Sequence, residues 1–327
     1  MPVRALITGT GHSVPDKVLD NKYFEQIVDT SDEWIVARTG IKERRVVEPG
    51  TGLSALAVPA ARQAMAKAGI GPLDLDLILV ATVSGDMQFP ATAIFVQAQL
   101  GATNAVAFDV SATCAGYLYL LHLADNFIRS SAYQTILVIG GEILSSMVDY
   151  EDRSTCVLFG DGAGANVIQK RDGERGILAT HVGSDGRLAN LLYRWGSGSA
   201  HVLTHEVLDQ RSHYMVMQGN EVFRHAVRIM ADAIEVVIEK AGITVDDIDL
   251  FIPHQANIRI IKSLANRLRL PKEKVYINIE RYGNTSAASI PIALNEALTS
   301  GRLREGDICG MVSFGGGFTW GSAVVKM

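Results

Sequence analysis

Three side chains in this sequence have the types and positions for covalent acyl chemistry: the thiol of Cys114, the imidazole of His254 and the carboxamide of Asn284. Cys114 follows the β-branched run Val106-Ala107-Phe108-Asp109-Val110 and precedes an apolar helical pattern, Ala115 to Ile128. A thiol at such a strand-to-helix junction faces the positive end of the helix dipole, an arrangement that lowers a cysteine pKa to about 3.5–7.5 and favours the nucleophilic thiolate. Its small neighbours Ser111, Ala112, Ala115 and Gly116 permit a tight turn and the approach of a bulky acyl group. His254 closes the apolar run Ile248 to Pro253, and Asn284 lies in Gly283-Asn284-Thr285-Ser286, after the expected strand Val275 to Ile279. Taken singly, Cys114 reads as a buried inert thiol, His254 as a hydrogen-bonded core residue and Asn284 as a helix cap. Together they sit at carboxyl ends of strands, where open α/β sheets place their sites.

The elements that position them come from a duplication. Lys67-Ala68-Gly69-Ile70 recurs as Lys240-Ala241-Gly242-Ile243, an offset of 173 residues. Each copy ends an apolar helical pattern with a glycine stop, and each is followed by a strand, Leu75 to Ala81 and Ile248 to His254. Val3 to Gly11 pairs in the same way with Gly176 to Ser184, and Leu137 to Gly141 with Gly310 to Phe314. Strands that alternate with helical periods predict βαβ units and parallel sheets. Two helical patterns, Ala115 to Ile128 and Ala287 to Leu298, are apolar nearly all round and must be buried. Back to back between two sheets, they predict an αβαβα sandwich with halves 1–173, carrying the cysteine, and 174–327, carrying the histidine and asparagine. Residues 187–218 have no counterpart in the first half and read as an inserted loop or lid.

Composition narrows the class. With 327 residues, 48% hydrophobic and 20% charged, the chain is globular, and about two domains fit its length. A net charge of −5 provides no global attraction for nucleic acid or anionic membrane. The N-terminus lacks a signal-peptide pattern and no apolar run reaches the roughly 18 residues of a membrane span, so a cytoplasmic protein is expected. Cys114, Cys156 and Cys309 have no CxxC spacing, which argues against a disulfide framework and a zinc site. His201 and His205 share a spacing for metal but have no third ligand nearby. Gly9-Thr10-Gly11 and Gly160 to Gly164 are not GxGxxG and are read as turns. Trp34 and Arg38 lie four residues apart on a helix capped by Ser31, so both can grip one flat aromatic group. From Gln255 to Lys274 six basic residues, including Arg259 and Lys262, face a single acidic one, Glu273.

Several motifs then carry a resemblance. Thr30 to Ile35 with Arg38 to Ile41, Asp109 to Gly116, Phe159 to Ala165, His254 to Asn257, Gly283 to Ser286 and Gly315 to Gly321 together resemble the β-ketoacyl-acyl carrier protein synthase III family of the thiolase-like fold, over nearly the whole chain. Thr113 and Tyr117 depart from the family's usual alanine and phenylalanine. The resemblance implies an acyltransferase in which Cys114 takes an acyl group from acyl-CoA. His254 and Asn284 then support decarboxylation of malonyl-acyl carrier protein and its condensation with the acyl-enzyme. It further implies an oxyanion hole at Cys114 and Gly316, CoA binding by Trp34, Arg38 and Arg153, carrier docking at Arg224, Arg259 and Lys262, and a primer pocket at Phe89 and Phe314. Phe89 would act across a homodimer interface. No cofactor is implied, CoA thioester being the substrate. The runner-up expectations are a condensing enzyme of secondary metabolism on the same fold and a Cys–His thioester hydrolase.

Overall fold

The computed structural model describes residues 1–327. Two sheets divide the chain. The first takes strands from residues 3–172 in the spatial order Val3–Ser13, Gly162–Asp172, Thr135–Glu142, Leu77–Ala81, Val106–Val110. The second takes strands from residues 176–326 in the order Leu250–Pro253, Ile308–Gly315, Thr319–Lys326, Gly176–Ser184. Leu77–Ala81 pairs in parallel with both of its neighbours, and Leu250–Pro253 pairs in parallel with Ile308–Gly315. The hairpin partners at the other side of each sheet run antiparallel.

Every residue of Leu77–Ala81 is buried, as a parallel strand covered on both faces must be. The cover on the inner face is a pair of helices, Gly116–Arg129 and Ser289–Thr299. Leu118, Leu121, Ile290 and Leu294 from this pair pack in one core with Leu79 and Val138 of the first sheet and Ile252 and Met311 of the second. Helices Ser54–Ala68 and Thr92–Leu100 cover the outer face of the first sheet, and Gly219–Ala241 and Ile258–Arg267 that of the second. The result is five layers, αβαβα. The repeated glycine stops behave alike: Gly69 and Gly242 both end their helices in the left-handed region, at φ 68° and 69°.

Three sequence expectations need correction. Val275 to Ile279 is not a strand; only Val275 makes an isolated bridge, to Phe251. Side chains replace the ladder there, since Asn278 donates its backbone N–H to Gln255 Oε1 (3.1 Å) and its amide to Glu296 (2.7 Å), and the chain turns into a short helix at Ile279. Gly9 and Gly11 are not in a turn but inside the first strand, and Gly162 to Gly164 open another. The first pair is glycine because the neighbouring helix leaves no room: a Cβ on Gly9 would lie 2.1 Å from Ala64 O. Residues 187–218 are not a bare loop, for Leu192–Arg194 and Met215–Met217 pair as a two-stranded antiparallel unit.

Candidate active site

Cys114 lies in a helical turn, Thr113–Ala115, that leads directly into the buried helix Gly116–Arg129. The corresponding turn of the second half, Ser286–Ala288, leads into Ser289–Thr299. Thr113 and Ser286 are 173 residues apart and both adopt left-handed backbone, at φ 47° and 49°. Non-glycine residues hold such a conformation only where their surroundings enforce it. The enforcement comes partly from the glycine-rich turn after Ile308–Gly315. A Cβ on Gly315 would meet Thr113 Oγ1 at 2.1 Å and Cys114 N at 2.7 Å, so the two backbones touch where only glycine fits. Gly316 accepts a hydrogen bond from Thr113 Oγ1 (3.1 Å), and Ser313 Oγ donates to Cys114 O (2.6 Å).

His254 and Asn284 share a cavity of about 420 Å³ with Cys114. Their hydrogen bonds orient them. Ser289 Oγ accepts from Gln255 N (3.3 Å) and lies 2.6 Å from His254 Nδ1, the acceptor available for its own proton. That accounting makes Nδ1 the acceptor and leaves the imidazole proton on Nε2. His254 is only 2% exposed, and burial pushes its pKa down to about 3, so the ring is neutral. Asn284 Oδ1 accepts from Ser286 N (2.9 Å), which commits its oxygen and leaves the NH2 group to donate elsewhere. The cavity thus contains two neutral hydrogen-bond donors beside a thiol.

The thiol itself departs from the sequence expectation. Burial pushes Cys114 up to about 12, the nearby Glu142 carboxylate adds to the rise, and the Ser286 hydroxyl opposes it. Desolvation therefore opposes the helix dipole at this sulfur.

The other expected residues fall into place around this centre. Ser31 Oγ caps the helix Asp32–Thr39 by accepting from Trp34 N (3.2 Å). The guanidinium groups of Arg38 and Arg153 lie 4.8 and 5.0 Å from the Trp34 ring centre. Trp34, Arg38, Arg224 and Arg259 line the cavity that leads to Cys114, whereas Arg153 stands outside its lining. Lys262 is exposed on the helix Ile258–Arg267 and, like Arg259, has no ion-pair partner; Arg224 is paired with Glu221 (2.9 Å). A second cavity, of about 400 Å³, shares Cys114, Phe159 and Leu192 with the first and is walled further by Val83, Leu144, Met147, Met215 and residues of the 193–198 segment. Phe314 lines the first cavity and not this one, and Phe89 lines neither. Phe89 is 83% exposed, while the adjacent Gln88 reaches this cavity and donates to Ser197 O (2.7 Å). His201 stacks on Trp195 with centres 4.1 Å apart.

Sequence reasoning passed over three contributors. Ser289 orients His254, Leu192 walls both cavities, and Glu142 sits buried behind Ser286. Ser289 was visible as a polar position in the largely apolar helical pattern Ala287 to Leu298; Glu142 carried no comparable signal.

The family described as 3-oxoacyl-[acyl-carrier-protein] synthase III matches residues 108–186, and its C-terminal counterpart matches residues 238–327. β-Ketoacyl-[acyl-carrier-protein] synthase III of Caldanaerobacter subterraneus subsp. tengcongensis is 49% identical over 324 residues, 99% of this chain and 98% of the relative. The crystal structure of 3-oxoacyl-[acyl-carrier-protein] synthase III from Aquifex aeolicus superposes with a TM-score of 0.92 at 48% identity, covering 99% of this chain and 100% of that one. The priming β-ketosynthase of the R1128 polyketide pathway superposes with a TM-score of 0.91 at 35% identity, over 100% and 98% of the two chains.

Proposed function

The chain belongs to the β-ketoacyl-[acyl-carrier-protein] synthase III family, and we propose that Cys114, His254 and Asn284 carry that family's reaction in this protein. The enzyme is an acyltransferase of the thiolase-like fold that condenses an acyl-CoA primer with malonyl-acyl carrier protein, the initiating step of fatty acid synthesis. Cys114 attacks the primer thioester and retains the acyl group, splitting one difficult transfer into two easier ones. Malonyl-acyl carrier protein then loses CO2, and the enolate attacks the acyl-enzyme. Decarboxylation itself generates the carbanion, so the site needs hydrogen-bond donors for the enolate oxygen and not a strong base. The observation that carries this reading is the pair of neutral donors, His254 Nε2–H and the Asn284 NH2 group, in the cavity of Cys114. Cys114 N and Gly316 N form the oxyanion hole for the acyl carbonyl in this proposal, supported by the close approach of the glycine turn to the Cys114 amide.

Trp34, Arg38 and Arg153 take the adenine end of CoA, and Arg38, Arg224 and Arg259 bring positive charge to the mouth of the cavity. Arg259 and Lys262, both without ion-pair partners, dock the acidic carrier. Charge reversal at Arg259 or Lys262 raises KM for malonyl-acyl carrier protein and leaves acyl loading from acyl-CoA unchanged, because rim charges act on encounter. Equal effects on both substrates would argue against docking at this helix.

The functional unit in this proposal is a homodimer. Its support is the edge strand Val106–Val110, with Val106 and Phe108 exposed, together with the exposed Phe89 and Met87. An uncovered edge of this kind invites pairing with another chain. Three free cysteines fit the reducing cytoplasm.

The test is intact-mass measurement of the protein with a series of acyl-CoAs from acetyl to decanoyl, on wild type and Phe89→Thr. A stable adduct that malonyl-acyl carrier protein discharges with CO2 release supports the reaction; release as free acid without the carrier supports a hydrolase instead. Phe89, reaching the partner's second cavity, restricts wild type to short primers, since overfilling a packed site costs about 1–3 kcal/mol. Phe89→Thr then admits longer primers. A wild type that already prefers decanoyl-CoA, with no change on substitution, removes Phe89 as the gate.

A further inference from the structure

Arg44 is the largest side chain that the fold buries completely, at 0% exposed. It lies on the short strand Glu43–Arg45, opposite Leu19 of the strand Val18–Asp20. Its Nη1 donates to Leu19 O (3.2 Å) and Asn21 Oδ1 (2.8 Å), and its Nη2 donates to Val157 O (2.5 Å). The Phe24 ring centre lies 4.3 Å from the guanidinium. All three acceptors are neutral oxygens, and the neighbouring Glu43 pairs with Arg45 instead. Burial lowers the Arg44 pKa to about 10, which still leaves a cation at neutral pH. A cation withdrawn from water with no carboxylate beside it is unfavourable, and an apolar side chain of similar volume would fill the space without that penalty. What arginine alone supplies is a rigid fork whose two ends reach different segments.

Each end of the fork meets a part of the site. Asn21, 2% exposed, accepts from the guanidinium through its oxygen and donates through its nitrogen to Asp32 Oδ1 (2.7 Å) and Ile41 O (2.9 Å). Asp32 opens the helix that carries Trp34 and Arg38, and Ile41 follows the glycine that ends it, so one carboxamide holds both ends of that helix. At the other end of the fork, Val157 caps the short helix that begins with Arg153. The residues after Val157 pair with Asn284, whose N donates to Leu158 O (2.9 Å) and whose O accepts from Gly160 N (3.0 Å). The stem of Arg44 packs at the same place, since a Cβ on Gly160 or Gly283 would lie 3.1 or 3.2 Å from Arg44 Cβ.

We propose that Arg44 is a positioning residue that fixes the placement of the side chains gripping CoA relative to the Asn284 donor. This rests on the roles given above to Trp34, Arg38, Arg153 and Asn284. Cys114 is held by other contacts, from Ser313 and the Gly315 backbone. A change in the fork therefore moves the nucleotide grip and the oxyanion donor relative to one another and leaves the thiol in place.

The experiment is Arg44→Lys, read in three ways: KM for acyl-CoA in acyl loading, the condensation rate of pre-acylated enzyme with saturating malonyl-acyl carrier protein, and alkylation of Cys114 by iodoacetamide. Lysine keeps the charge, but its single nitrogen does not span the two segments. KM rises about 10-fold, the scale of one desolvated cation–π contact. Condensation falls by about 10²-fold, the effect of misplacing a reacting group by about 1 Å. Alkylation is unchanged. Condensation is also measured in Asn284→Ala, alone and combined with Arg44→Lys. Because Arg44 acts through Asn284, its effect on condensation disappears in that background, whereas a general packing role would add to it. An additive effect, or a proportional loss of both constants together with alkylation, overturns the proposal. Should Arg44→Lys not fold, Asn21→Asp carries the test: it keeps an oxygen for Arg44 and loses the donor to Asp32 and Ile41, so KM for acyl-CoA rises while condensation by acylated enzyme holds. An unchanged KM there overturns the proposal. Trp34→Ala and Asn284→Ala proteins with wild-type KM and condensation overturn the roles themselves and this inference with them, whereas losses there beside an inert Arg44→Lys overturn the inference alone.

Discussion

Cys114→Ala takes up no acyl group from any acyl-CoA, as read by intact mass, and condensation activity falls to background. The two remaining thiols cannot substitute. Cys156 is buried against Val157 and Phe159 and pushed up to about 11, and Cys309 is fully buried in the central core, where burial raises its pKa as well. Neither lines a cavity that Cys114 lines. The effect is complete because covalent catalysis has no partial substitute: with no sulfur at the end of the cavity, the primer has no atom to be transferred to. An adduct that survives on Cys156 or Cys309 would move the nucleophile.

His254→Ala and Asn284→Ala each lower condensation by about 10²–10³-fold, the scale of losing one preorganised donor to a developing oxyanion. Acylation of Cys114 persists in both variants, because these groups face the enolate of the second substrate. The double variant loses less than the product of the two, since both donors serve one oxygen. Condensation by pre-acylated enzyme also has a diagnostic pH profile. A histidine with its ordinary pKa near 6.5 would become cationic as pH falls through that value, whereas burial keeps His254 neutral until about pH 3. The condensation rate therefore has no histidine limb near neutrality. A limb near 6.5 that disappears in His254→Ala would show a titrating histidine and misassign its role, as would an Asn284→Ala protein that stops self-acylating but still decarboxylates malonyl-acyl carrier protein.

The sequence alone determined what depends on order along the chain. The repeat of Lys67-Ala68-Gly69-Ile70 at Lys240 identified two like halves, because a helix stop and the strand after it are local features. The largely apolar circumference of Ala115 to Ile128 required burial, and the central layer between two sheets supplies it for Leu118, Leu121 and Ala124, while Tyr119, His122 and Leu123 stay half-buried and Asn126 exposed. Trp34 and Arg38 share a helix face by spacing alone. The thiol, imidazole and carboxamide were legible as residue types in motifs at element ends.

The tertiary structure decided what depends on contacts between distant segments. Val275 to Ile279 has strand composition, yet Gln255 and Glu296 captured Asn278 and the ladder did not form. Residues 187–218 became walls of both cavities, through Leu192 and Met217 in the first and Leu192 to Arg194, Gly196 to Gly198 and Met215 in the second. Above all, the electrostatic surroundings of Cys114 are not a property of its neighbours in sequence. The helix dipole is local and was foreseeable, but the desolvation that opposes it comes from the surrounding fold, and the Glu142 carboxylate that accepts from Ser286 lies 144 residues from that serine. Periodicity and spacing report which side of an element is buried; the electrostatic free energy of a buried group depends on everything the fold places around it.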